Sequence, residues 1–169
     1  TWELLTALYA APQILRFRFE RGAALKRPDE LVSRAIQLLG AKGPKSWQGL
    51  SLSGVPVALA DVPNLDIAGT PRLDLVAHIL RGTKTFNAEV LRQLDDGLEV
   101  EPNNLAPSPV VITVVRAEKE FVRDAGLPNH PRCAYPMDVL LSLLNSGLRE
   151  QALQYTRALP HEASLALAP

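Results

Sequence analysis

Six consecutive residues, Val110, Val111, Ile112, Thr113, Val114 and Val115, are all β-branched. Branching at Cβ restricts χ1 and suits a pleated surface, so this run reads as a buried strand and a sheet must be built around it. Ser108-Pro109 immediately upstream also has the form of a helix opening, one that would carry the chain through Phe121 and Val122 to Gly126. The reading adopted is a strand to Val115 followed by a helix from Arg116.

Other strand signals are fewer. Leu15, Phe17 and Phe19 alternate with Arg16, Arg18 and Glu20, the period of a half-buried strand. Leu50 to Val62 holds a weaker alternation interrupted by Gly54 and Pro56, and Pro56 would confine it to a sheet edge or a bulge.

Helix punctuation is more frequent. Thr1 can cap a helix over Trp2 to Ala10, stopped by Pro12. Pro28, Asp29 and Glu30 open a second, whose stripe of Leu31, Val32, Ala35, Ile36 and Leu39 ends at Gly40. Thr70-Pro71 repeats that opening before Leu73, Val76, Ala77 and Leu80, with Gly82 as the stop. A fourth runs from Asn87 to Asp96. Pro136 then starts a helix with Val139, Leu140, Leu143 and Leu144, broken at Asn145-Ser146-Gly147, and a last one carries Leu148, Ala152, Leu153 and Tyr155. Two helices joined so briefly pack as an antiparallel hairpin.

These elements predict the α+β class: one helix-rich domain over residues 1–169 with a small sheet and a C-terminal helical hairpin, the alternative being a mainly α fold. The Pro- and Asn-rich stretch 101–109 reads as its hinge. Hydrophobic residues make up 47% of the 169 and charged residues 21%, enough apolar surface to offset ordering entropy. No apolar run approaches the roughly 18–20 residues of a membrane helix. The single cysteine, Cys133, cannot form an intrachain disulfide and suits a cytoplasmic chain. A first residue Thr1 and a lone Met137 suggest a piece of a longer protein.

Net charge is zero but divided: residues 1–85 hold 11 Lys+Arg against 7 Asp+Glu, and residues 86–169 hold 7 against 11. The basic segment runs from Arg16 to Lys45, and the acidic one comprises Glu89, Asp95, Asp96, Glu99 and Glu101.

Motifs that carry chemistry are scarce. There is no phosphate-cradling glycine loop, nucleophile elbow, paired CxxC or HExxH. His130 and Cys133 stand three positions apart in a Pro-rich loop, half of what a metal or an activated thiol needs. Asp74 and His78 lie four apart on one expected helix, so their side chains can meet, and Asp61, Asp66 and Asp74 have no diagnostic metal spacing. No cofactor, metal or catalytic residue is therefore assigned.

Two segments resemble parts of a tetratricopeptide repeat: Ser146 to Leu153 the turn and second-helix start, Leu98 to Asn104 the end. The matching prolines, Pro102 and Pro160, lie much farther apart than that family's repeat of about 34 residues, so no family assignment follows.

The function expected is a non-catalytic protein–protein interaction module, with Tyr155 and Arg157 as residue types suited to a partner surface. The alternative is nucleic-acid binding through Arg16, Arg18, Arg21, Lys26, Arg27 and Arg34 within the basic segment. An enzyme using Asp74, His78, His130 or Cys133 comes last.

Overall fold

The computed structural model describes residues 13–80, 85–117, 120 and 122–159. The helix expected over residues 2–10 and the chain from residue 160 onward lie outside the described residues.

Seven strands form one mixed sheet among the described residues: β1 (Gln13–Phe19), β2 (Leu50–Ser53), β3 (Leu73–Leu80), β4 (Leu98–Glu101), β5 (Val110–Ala117), β6 (Val122–Arg123) and β7 (Cys133–Ala134). Their order across the sheet is β4-β1-β5-β3-β2-β7-β6. Four helices accompany them, α1 (Pro28–Leu39), α2 (Val55–Asp61), α3 (Pro136–Asn145) and α4 (Arg149–Ala158), with short 3-10 turns at Lys45–Trp47 and Ala88–Gln93. The expected helix-rich domain with a small sheet is thus overturned, because the sheet is the organising element.

The β-branched run is β5, paired antiparallel to β1 on one side and parallel to β3 on the other. Its register puts Phe17, Val110 and Leu73 in one row, and Leu15, Ile112, Leu75 and Leu52 in the next. That face is the apolar core, with Phe17, Val110, Ile112, Leu73, Leu75 and Leu52 all buried.

The largest correction is β3. Leu73 to Leu80 is a strand, not the helix that Thr70-Pro71 suggests. A central strand covered on both faces reads as a continuous apolar run, which also satisfies a helical stripe. Two more follow. The helix expected from Arg116 is overturned, because Arg116 and Ala117 continue strand β5 and Val122 belongs to β6. Pro56 does not mark an edge strand: β2 ends at Ser53, Gly54 turns with φ +69, and Pro56 sits in the first turn of α2. The Asn87 segment is a 3-10 turn rather than an α-helix, although Asn87 does cap it, accepting from the Glu89 N–H at 3.1 Å.

α1 forms as its punctuation implies. Pro28 fills the first turn, where its missing N–H costs nothing, and Glu30 accepts from the Arg27 N–H at 3.2 Å. Leu31, Val32, Ala35, Leu38 and Leu39 are buried, and α1 packs against β2 and β3. The C-terminal hairpin is also present, with Gly147 at φ +82 in the turn, a left-handed conformation that side chains disfavour. Its seam is Val139, Leu143, Ala152 and Tyr155, whereas Leu153 is exposed.

Candidate functional site

The second face of the sheet carries polar groups, and the ladder explains their alignment. Glu101, Arg16, Val111, Asp74 and Ser53 stand in one row across β4, β1, β5, β3 and β2. Thr113, Val76 and Ser51 continue the next row, and His78 lies farther along β3 on the same face. α3 lies over this face, presenting Asp138, Ser142 and Asn145 at the i, i+4, i+7 spacing of one helical side.

The two polar stripes meet. The hydroxyls of Ser53 and Ser142 are 2.8 Å apart, and the Ser53 hydroxyl also donates to the Asp138 carbonyl at 3.4 Å. Arg72 donates from Nε to Asp74 Oδ1 at 2.9 Å and from Nη2 to Asn145 Oδ1 at 3.0 Å. Arg16 reaches the same amide oxygen at 3.5 Å and donates to the Asn104 carbonyl at 2.7 Å. Deeper in, Nε2 of His78 lies 3.9 Å from Oδ2 of Asp138.

Burial sets the protonation of this seam. Desolvation pushes the Asp74 carboxyl up to about 6 against the opposing pull of Arg72 and Arg16, and pushes Asp138 up to about 6 as well. The same desolvation lowers His78, favouring the neutral imidazole. Asp74, His78 and Asp138 are all under a tenth exposed, so burial favours the uncharged form of each.

Asp74 and His78, four apart, were expected to meet on a helix. On a strand that spacing is about 13 Å, and each has turned to a different partner, Arg72 and Asp138. Nor do Asp61, Asp66 and Asp74 gather. Asp61 accepts both terminal nitrogens of Arg123 and the Tyr155 hydroxyl, Asp66 is exposed, and Asp74 is buried against Gly54. His130 is exposed and bonded through Nδ1 to Asp124 Oδ2 at 2.7 Å, while Cys133 is buried, its thiol donating to the Pro131 carbonyl and pushed up by desolvation.

The basic residues are largely committed within the protein. Arg18 bonds Glu99 at 2.8 Å and Glu101 at 3.4 Å, and Arg27 bonds Glu30 at 3.4 Å. Arg21, Lys26 and Arg34 are exposed, and the last two line a surface hollow of about 820 Å³ that Arg92, Asp95 and Asp96 also line. Tyr155 is fully buried and so is not presented to a partner, whereas Arg157 is exposed.

Sequence reasoning missed Arg72, Asp138, Ser142 and Arg123. The clearest signal was available in Asp138, Ser142 and Asn145, a polar line at helical spacing through a leucine-rich helix.

β4 is the terminal strand, paired only with β1 among the described residues. Glu20 N–H donates to the Gly97 carbonyl at 2.7 Å, so by antiparallel alternation Glu99 and Glu101 turn their backbone groups toward β1 and Val100 turns its own outward. The Val100 side chain is 51% exposed, and Leu105, just beyond the strand, is 90% exposed. No helix among the described residues is long and apolar enough to cross a membrane. Comparison of the chain with protein-family models, curated proteins and solved structures finds no match.

Proposed function

We propose that this chain is a non-catalytic interaction module that takes up an extended segment of a partner protein along the outer edge of β4. The observation that carries the reading is the open edge itself: outward-facing backbone groups at Val100 beside exposed apolar side chains at Val100 and Leu105. Strand addition at such an edge obtains its affinity from main-chain hydrogen bonds and its selectivity from alternate side chains. The titratable groups that sequence reasoning considered for catalysis give no competing support, since Asp74 and His78 are enclosed by α3 and the sheet. Nucleic-acid binding gains little from Arg16 and Arg18, whose guanidiniums are engaged by Asn104, Asn145, Glu99 and Glu101. A single buried cysteine is compatible with action in the cytoplasm.

The test compares immobilised protein with its Val100→Pro variant in pull-down from a lysate, with circular dichroism confirming that both fold. Proline is tolerated where an edge N–H faces outward, so the variant removes one docking donor while leaving the strand. Proteins retained by the parent and lost from the variant support the reading. An identical retained set, or none, overturns it.

A further inference from the structure

We infer that the first turn of α3 is a pH-sensitive latch on the polar face of the sheet, closed while the Asp138 carboxyl holds a proton and released when it ionises. The latch is separate from the docking edge on β4. Polar groups along α3 are satisfied unevenly. Toward its C-terminal end, Ser142 meets the Ser53 hydroxyl at 2.8 Å and Asn145 Oδ1 accepts from Arg72 at 3.0 Å. At the first turn the match fails. Asp138 Oδ1 and the Ser51 hydroxyl are buried without a hydrogen-bond partner, and Asp138 Oδ2 stops 3.9 Å short of His78 Nε2. That separation is beyond a hydrogen bond. An unpaired buried polar atom costs stability, so the weak end of α3 is its beginning.

Among the described residues, no guanidinium or ammonium bonds Asp138. Arg72 bonds Asp74 and Asn145, Arg16 bonds Asn104 and Asn145, and Arg123 bonds Asp61, which also accepts from Tyr155. Cys133 of β7 donates to the Pro131 carbonyl, and Arg149, Glu150 and Arg157 of α4 are exposed. The group that faces Asp138 is His78, and burial favours its neutral form. Burial likewise pushes the Asp138 carboxyl up to about 6 from an ordinary 3.8. Below that value the seam encloses two neutral groups. Above it a carboxylate faces an uncharged imidazole and gains by turning into water. The fully buried Val139 and Leu143 keep the closed form dominant, so ionisation raises the population of a lifted first turn without detaching the helix.

Amide hydrogen exchange, resolved by residue with NMR on the whole chain and its Asp138→Asn variant, tests the latch. The Val139 N–H, bonded to the Tyr135 carbonyl at 3.1 Å, and that of Leu140 report opening of the first turn. Closure is strongest below about pH 4 and weakens as pH rises through 6. The ratio of parent to variant protection at these two amides should therefore fall about tenfold between pH 5 and 7. Taking the ratio cancels His78, whose lowered value acts in the opposite sense in both chains. Val139 and Leu140 should also exchange faster than the amides of β3 and β5, which open with the whole fold. A constant ratio would overturn the latch, because Asp138 would not govern the opening. Protection at Val139 and Leu140 equal to that of the central strands would overturn it too, because the turn would then open only by global unfolding.

Discussion

Asp61 and Arg123, far apart in sequence, form a two-pronged ion pair at 2.8 and 2.6 Å that joins the end of α2 to β6. The Tyr155 hydroxyl donates to the same carboxylate at 2.6 Å, and Arg123 Nε donates to the Ala134 carbonyl at 3.0 Å. One carboxylate thus ties α2, the sheet margin and α4 together.

Removing either partner should not cost the same. Tyr155→Phe deletes one bond to a charged acceptor and should lose about 1.5–3 kcal/mol, leaving Asp61 with its arginine. Arg123→Ala leaves a mostly buried carboxylate without its counter-charge and should lose about 3 kcal/mol or more. Urea unfolding with an unchanged slope measures both. A smaller loss for Arg123→Ala than for Tyr155→Phe would show that the pair is not what holds these elements.

The buried carboxyls predict an unusual pH dependence. Asp138 has a folded value near 6, above its ordinary 3.8, so the native state retains a proton that the unfolded chain releases. Its contribution is therefore fully present below about 4 and is lost as pH rises through 6, amounting to about 3 kcal/mol for a two-unit shift. His78 acts in the opposite sense, since its lowered value withdraws stability as pH falls below its unfolded value of 6.5. Asp138→Asn should consequently be more stable than the parent at pH 8, with the advantage shrinking toward pH 4. A constant difference across that range, measured by denaturant titration, would exclude the proton-holding seam.

Gly54 has no room for a side chain. A Cβ there would lie 2.6 Å from Asp74 Oδ2, in a backbone with φ +69. Gly22 has φ +90 but nothing within 4 Å. Gly22→Ala should then cost only the conformational term, about 1–2 kcal/mol, and Gly54→Ala clearly more. Equal midpoints for the two variants would mean that Asp74 moves aside freely.

The hairpin offers a contrast within one seam. Leu143 is fully buried and Leu153 is 47% exposed. Leu143→Ala should cost about 2–5 kcal/mol, and Leu153→Ala about 0.5 kcal/mol or less. Thermal unfolding of the two variants decides it, and comparable losses would refute this packing.

Legibility in the sequence followed the strength of local punctuation. α1 and the hairpin were readable because Pro28, Pro136 and Gly147 mark their ends unambiguously. β1 was readable because Arg16 and Arg18 alternate with Leu15, Phe17 and Phe19. β3 was not: burial on both faces erases alternation, and Leu73, Val76, Ala77 and Leu80 fit a helix equally well. The polar seam stayed hidden for a related reason. Its members come from five separate segments, and only the register that sets Asp74 beside Ser53 and opposite Val111 makes them neighbours. The terminal strand β4 left a trace, since Glu99 and Glu101 stood out as part of the acidic stretch, but strand order cannot be read from charge.

The strand order has a further consequence during synthesis. Phe17 must wait for Val110, and Arg18 for Glu99, because both neighbours of β1 lie far downstream. A chain emerging from the ribosome N-terminus first therefore presents β1 well before β4 and β5, its partner strands among the described residues, are made. Such long-range pairing slows folding and prolongs exposure to aggregation. Charges that interrupt an apolar strand disfavour aggregation, and in β1 Arg16 and Arg18 alternate with Leu15, Phe17 and Phe19.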